Sequence, residues 1–114
     1  MSDLQNSQCE PCQGGIAPLD EQQLKPLLAE VPAWTLIEED GVEKLQRRID
    51  TADFNASLAL AQRVGEFADQ QDHHPAILVE YGQLTVTWWS HKIKGLHRND
   101  FVCAAKTDAL INGG

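Results

Sequence analysis

Between Thr51 and about Gln71, the residues Phe54, Leu58, Ala61, Gly65 and Ala68 recur every three or four positions, and Leu60, Val64 and Phe67 widen the same apolar face. That is the period of an α-helix with one side in a core, and it makes this segment the principal helix of the fold. Pro75 ends any continuation, because the residue before a proline is pushed toward extended backbone. Strand pairs flank the helix. On its amino-terminal side, Ala33–Glu39 and Val42–Ile49 bracket Asp40-Gly41, a strong two-residue hairpin signal. On its carboxy-terminal side, Ala76–Tyr81 and Leu84–Ser90 bracket Gly82-Gln83, with Val79, Thr85, Val86 and Thr87 suited to strands.

Two shorter helices complete the order. Asp20-Glu21-Gln22-Gln23 has the form of an N-cap with a capping-box residue, and Leu24, Leu27, Leu28 and Val31 follow at helical spacing. Pro26 is awkward inside such a helix, since it removes a hydrogen bond and clashes with the preceding turn, so a kink or a later start is expected. From about His97 to Leu110, Phe101, Ala104, Ala105 and Ala109 supply an apolar stripe, and Cys103 falls within it as a buried structural thiol. Helix, hairpin, helix, hairpin, helix implies an α+β, two-layer sandwich: a four-stranded antiparallel sheet with helices on one face. The other face, read as apolar, then needs cover from a partner or a second copy.

At 114 residues the chain has room for one compact domain, expected over residues 19–114 behind a Gly- and Pro-containing flexible leader at 1–18. No apolar run approaches the roughly 20 residues needed to span a bilayer, so no membrane association is expected. The start, Met1 to Gln8, has neither a basic nor an apolar region of the secretory kind, which makes the cytoplasm the expected compartment. A formal charge of −8 disfavours nucleic acid as a direct partner. Lys92, Lys94 and Arg98 form a local basic rim suited at most to a polar or anionic small molecule. Cys9 and Cys12 make a C-x-x-C in the leader, without the preceding strand of a thioredoxin-like motif and one thiolate short of a four-cysteine zinc site.

Three of the four histidines, His73, His74 and His91, stand at the ends of expected elements, where sites are commonly built. Imidazole titrates near neutrality, so such a cluster offers acid–base chemistry. A His-His-Pro turn alone carries little information, since histidines often cap helices or sit on surfaces. The spacing carries more: Asp69, three residues, His73-His74-Pro75, five residues, Tyr81, nine residues, His91, eight residues, Asp100. With Trp34 before the first strand and Ser90-His91 followed by Gly95-Leu96, this pattern resembles the signature of the pterin-4a-carbinolamine dehydratase family over about Leu19 to Leu110.

The resemblance implies a dehydratase that converts a 4a-hydroxytetrahydropterin to quinonoid dihydropterin and water, in recycling of the tetrahydropterin cofactor of aromatic amino acid hydroxylation. It implies no metal and no other cofactor. It makes His73 and His91 the proton-transfer pair and His74 a pterin-contacting residue that assists. Asp69 and Asp100 match acidic positions that orient imidazoles or the loop, while Pro75, Ser90, Lys92 and Ile93 flank the histidines and are expected to line the pocket. A homodimer or homotetramer is implied as well. His97 stands where relatives commonly have Ser or Thr and is read as a substitute cap. Strand alternation puts Trp89 on the side of His91 and Trp88 on the side of Val86; core or interface packing is the expected job of both, with Trp89 the better candidate for a pocket wall. The competing readings are a three-histidine metal site, for which adjacent histidines in an extended turn have poor geometry, and a non-catalytic dimerisation module of the same fold.

Overall fold

The computed structural model describes residues 17–112; the Cys9-x-x-Cys12 segment and all but the end of the leader lie outside the described residues. The elements are α1 (Glu21–Glu30), β1 (Thr35–Glu39), β2 (Val42–Asp50), α2 (Phe54–Gln71), β3 (Ala76–Glu80), β4 (Gln83–Trp88) and α3 (Arg98–Asn112). Asp20 accepts from the Gln23 amide at 2.9 Å, and Gln23 Oε1 accepts from the Asp20 amide at 2.9 Å. This reciprocal cap fixes the start of α1. The helix neither starts late nor stops at Pro26, whose ring lies on the exposed side while Leu24 is buried at 3% exposure.

The strands pair antiparallel in the order β1-β2-β4-β3, so the second strands of the two hairpins meet at the centre. Leu45 pairs with Trp88, Arg47 with Val86 and Ile49 with Leu84 across that seam. In the first hairpin Asp40 (φ 53°) and Gly41 (φ 78°) are both left-handed, the backbone of a type I′ turn. The second hairpin turns one residue earlier than expected, through Tyr81-Gly82, with Glu80 paired to Gln83. Gly82, at φ 78°, is the residue that can take the positive angle there.

Leu45, Ile49, Leu84, Val86 and Trp88 point from one sheet face into a core completed by Leu24, by Val64 and Ala68 of α2, and by Phe101, Val102, Cys103, Ala104 and Ala105 of α3. The opposite face differs from the apolar surface expected of it. Lys44, Gln46, Arg48, Thr85 and Thr87 alternate onto it beside Ile37 and Leu78, and Gln46 Nε2 donates to Thr87 Oγ1 at 3.2 Å. Short hydroxyls and amides that bond across strands satisfy one another, so this face is not an exposed core. Among the described residues no helix is long and apolar enough to cross a membrane.

Candidate active site

Three element ends converge at one end of the sheet: the close of α2, the end of β4 and the start of α3. Asp72 closes α2 in the left-handed conformation (φ 51°), with its amide donating to Asp69 O and the His73 amide to Ala68 O, both at 3.3 Å. That pair of hydrogen bonds is a Schellman closure, and it turns the chain so that consecutive histidines leave the helix in different directions. Pro75 then commits the chain to β3.

His73 goes inward. Its ring is 7% exposed, lies parallel to Trp88 (centroids 5.5 Å apart, planes at 8°), and has Nε2 2.6 Å from Asp100 Oδ1. Asp100 is fully buried, and a buried carboxylate is tolerable only when donors surround it. Its second oxygen, Oδ2, accepts from Ser90 Oγ at 2.8 Å and from the His97 amide at 2.9 Å. One carboxylate thereby joins α2, β4 and α3. Since the carboxylate accepts, Nε2 of His73 is the protonated nitrogen, which fixes both tautomer and ring orientation. His97 caps α3: its Nδ1 accepts from the Asn99 amide at 3.1 Å, while Asp100, three residues on, reaches back to the His97 amide. Behind the His73 ring, Trp88 Nε1 donates to Thr107 Oγ1 at 3.2 Å, and that hydroxyl donates to Cys103 O at 2.7 Å.

His74 and His91 go outward. The His74 side chain is 55% exposed, with Nε2 3.0 Å from Asp69 Oδ1. His91 Nε2 donates to the backbone carbonyl of His74 at 3.1 Å, which brings the β4 end to the α2 turn and assigns the His91 proton to Nε2. Its ring packs at 4.3 Å from that of Trp89 with planes tilted by 31°, so Trp89 stands beside His91 as strand alternation implies. Lys44 Nζ lies 4.0 Å from the centre of the Trp89 ring and 3.0 Å from Glu39 Oε1.

The residues singled out from sequence therefore divide. Asp100, His73 and Ser90 form one buried hydrogen-bonded group; Asp69, His74 and His91 form an exposed one; Pro75 is half-buried. Ile93 is buried and Lys92 exposed on the loop that follows His91. Tyr81 lies at the opposite end of β4, about 20 Å of strand away, and is 76% exposed. Lys44 is not legible in the sequence: it faces Trp89 only because Leu45 is in register with Trp88. Among the described residues no three His, Cys, Asp or Glu side chains converge as metal ligands.

The family model described as pterin 4 alpha carbinolamine dehydratase matches residues 17–110. The chain belongs to that family. Several bacterial members resemble it along nearly their whole length. A Nitrosococcus oceani protein that carries the pterin-4-alpha-carbinolamine dehydratase name provisionally is 50% identical over 97% of this chain and 98% of its own length. A Vibrio cholerae protein named in the same way is 48% identical over 94% and 98%. A crystal structure of a Brucella melitensis transcriptional coactivator/pterin dehydratase superposes with a TM-score of 0.72 at 26% identity, over 82% of this chain and 97% of that one.

Proposed function

We propose that this chain is a pterin-4a-carbinolamine dehydratase. The observation that carries the reading is the three-imidazole end of the sheet, with His73 locked by a buried carboxylate and His91 tied to the His74 carbonyl. In the reaction, an imidazolium donates a proton to the 4a-hydroxyl as the C4a–O bond breaks. The N5 lone pair forms the C4a=N5 bond, and a neutral imidazole accepts the N5 proton, leaving quinonoid dihydropterin and water. His73 and His91 are the two proton-transfer groups in this proposal, and His74 contacts the pterin. Asp100 keeps the His73 tautomer constant through the cycle, as a buried carboxylate does behind a catalytic imidazole. Trp89 provides a flat apolar wall beside His91, and Lys92 and Lys94 provide cations on the adjoining loop. Positioned groups of this kind contribute about 10²–10⁴-fold each.

The product would feed a reductive step that restores the tetrahydropterin cofactor of aromatic amino acid hydroxylation. Self-association is part of the proposal: Phe54 (44% exposed) and Leu58 (45%) lie one turn apart on α2, and Leu78 (56%) lies on the edge strand β3. Sedimentation that finds only monomer at micromolar concentration contradicts that part. A second reading, a non-catalytic binding module, is favoured by the coactivator name of the Brucella relative. Stopped-flow decay of a 4a-hydroxytetrahydropterin separates the two: acceleration by the protein supports the enzyme, and an unchanged decay supports the module.

A further inference from the structure

His91 and Lys92 ride on a loop whose two stems are held in different ways. Ser90 and Gly95 close it with Ser90 N→Gly95 O at 2.9 Å and Gly95 N→Ser90 O at 3.4 Å, and Lys94 turns it at φ 51°. The Ser90 stem is fixed from inside by the Asp100 bond. The Gly95 stem is braced from outside by the incoming amino-terminal segment: Leu19 N donates to Leu96 O at 2.9 Å, and Pro18 lies against Gly95. A Cβ on residue 95 would stand 2.7 Å from Pro18 Cβ and 2.9 Å from its Cγ, closer than packed carbons approach. Glycine is needed there for space and not for a left-handed backbone. The obstacle is a rigid ring, and the residues that follow it are anchored by Leu96 and by the α1 cap, so the strap cannot yield by turning a side chain.

We propose that Gly95 is a positioning residue for His91. Its missing side chain lets the Pro18-Leu19 strap lie on the loop stem, and the strap sets how far the loop, and with it the His91 imidazole, stands from the His73-His74 turn. With the Ser90 stem held by Asp100, a methyl group at residue 95 displaces the segment between the stems. His91 opposes that displacement with one hydrogen bond to backbone and its contact with Trp89. Neither Gly95 nor Pro18 contacts a histidine ring in this reading; both act through the loop. The kinetic part rests on the proposed dehydratase function, whereas the structural part does not.

The test is a cycle in the full chain: parent, Gly95→Ala, Pro18→Gly and the double variant, each read by the His91 Cε1–H resonance in ¹H–¹³C NMR and by kcat and KM for 4a-hydroxytetrahydropterin. Gly95→Ala is expected to move the His91 resonance and lower kcat about tenfold or more, with KM changing less, because sub-ångström to 1 Å displacement of a reacting group has effects of that order. In the Pro18→Gly background, where the ring is gone, the same alanine is expected to leave both readouts near those of Pro18→Gly alone. An equal effect of the alanine in both backgrounds, or an unmoved His91 resonance in Gly95→Ala, overturns the proposal. If Gly95→Ala does not fold, a folded double variant with the Pro18→Gly His91 signal supports it, and a double variant that also fails to fold overturns it. A parent without dehydratase activity defeats the functional reading alone, since the NMR comparison still decides the positioning role.

Discussion

The two halves of the site are built from the same residue types and held in opposite ways. In the inner half, the polar atoms of Asp100, Ser90 and His73 are turned on one another beneath the surface, and an aromatic ring backs the imidazole. In the outer half, His74 and His91 each make one side-chain hydrogen bond and keep exposed ring surface. Burial makes the inner group costly to break and therefore constant in geometry; exposure makes the outer group adaptable to a ligand. In the proposed reaction the first half supplies a proton-transfer imidazole held in fixed orientation, and the second supplies the other imidazole together with access for the ligand.

The sharpest way to break this comparison is Asp100→Ala. It removes the acceptor of three donors at once, the buried His73 Nε2 and Ser90 Oγ and the part-buried His97 amide, and a loss of about 3–5 kcal/mol of stability is expected, read from urea unfolding, together with a collapse of turnover. A variant as stable as the parent would show that the inner half is not an anchor. His91→Ala probes the outer half and should separate rate from stability. It is expected to lower kcat by about 10²–10⁴-fold, while unfolding free energy changes by no more than about 0.5 kcal/mol. Combined with His73→Ala, it should cost less than the product of the single effects, because groups that act as a unit are non-additive.

Trp89→Ala tests whether the outer wall meets substrate. A weakening of pterin binding by about twofold to tenfold is expected in KM, the equivalent of roughly 0.5–1.5 kcal/mol of aromatic contact, with kcat less affected. A change in kcat alone would assign Trp89 to holding His91 instead. The smallest effect belongs to Asp69→Asn. Its contact with His74 is an exposed pair, worth at most about 1 kcal/mol, so activity is expected to stay within about fivefold of the parent. A loss as large as that of His91→Ala would move Asp69 into the chemistry and erase the contrast between the halves.

Local chemistry makes much of this molecule legible in its sequence. The period of α2, the Asp20 capping box and the Asp40-Gly41 turn are decided by neighbours three or four residues apart, and all three are present where the sequence places them. The turn at Tyr81-Gly82 falls one residue before the expected Gly82-Gln83, because Gly82 suits either register and cross-strand pairing makes the choice. The polar character of the sheet's second face is hidden for a similar reason: Thr85 and Thr87 read as strand formers, and only the partner strand gives Gln46 to bond Thr87.

The amino-acid sequence by itself determined the order of elements, the family, and which residues carry titratable groups at element ends, since periodicity, caps and spaced motifs are properties of the chain alone. Tertiary structure alone decided that His73 is buried while its neighbour His74 is exposed, that Lys44 covers Trp89, and that Pro18 lies on Gly95. Each of those facts depends on segments far apart in sequence being brought within a few ångströms. A left-handed Asp72, a strand register and a close-packed strap set those distances, and no local propensity encodes them.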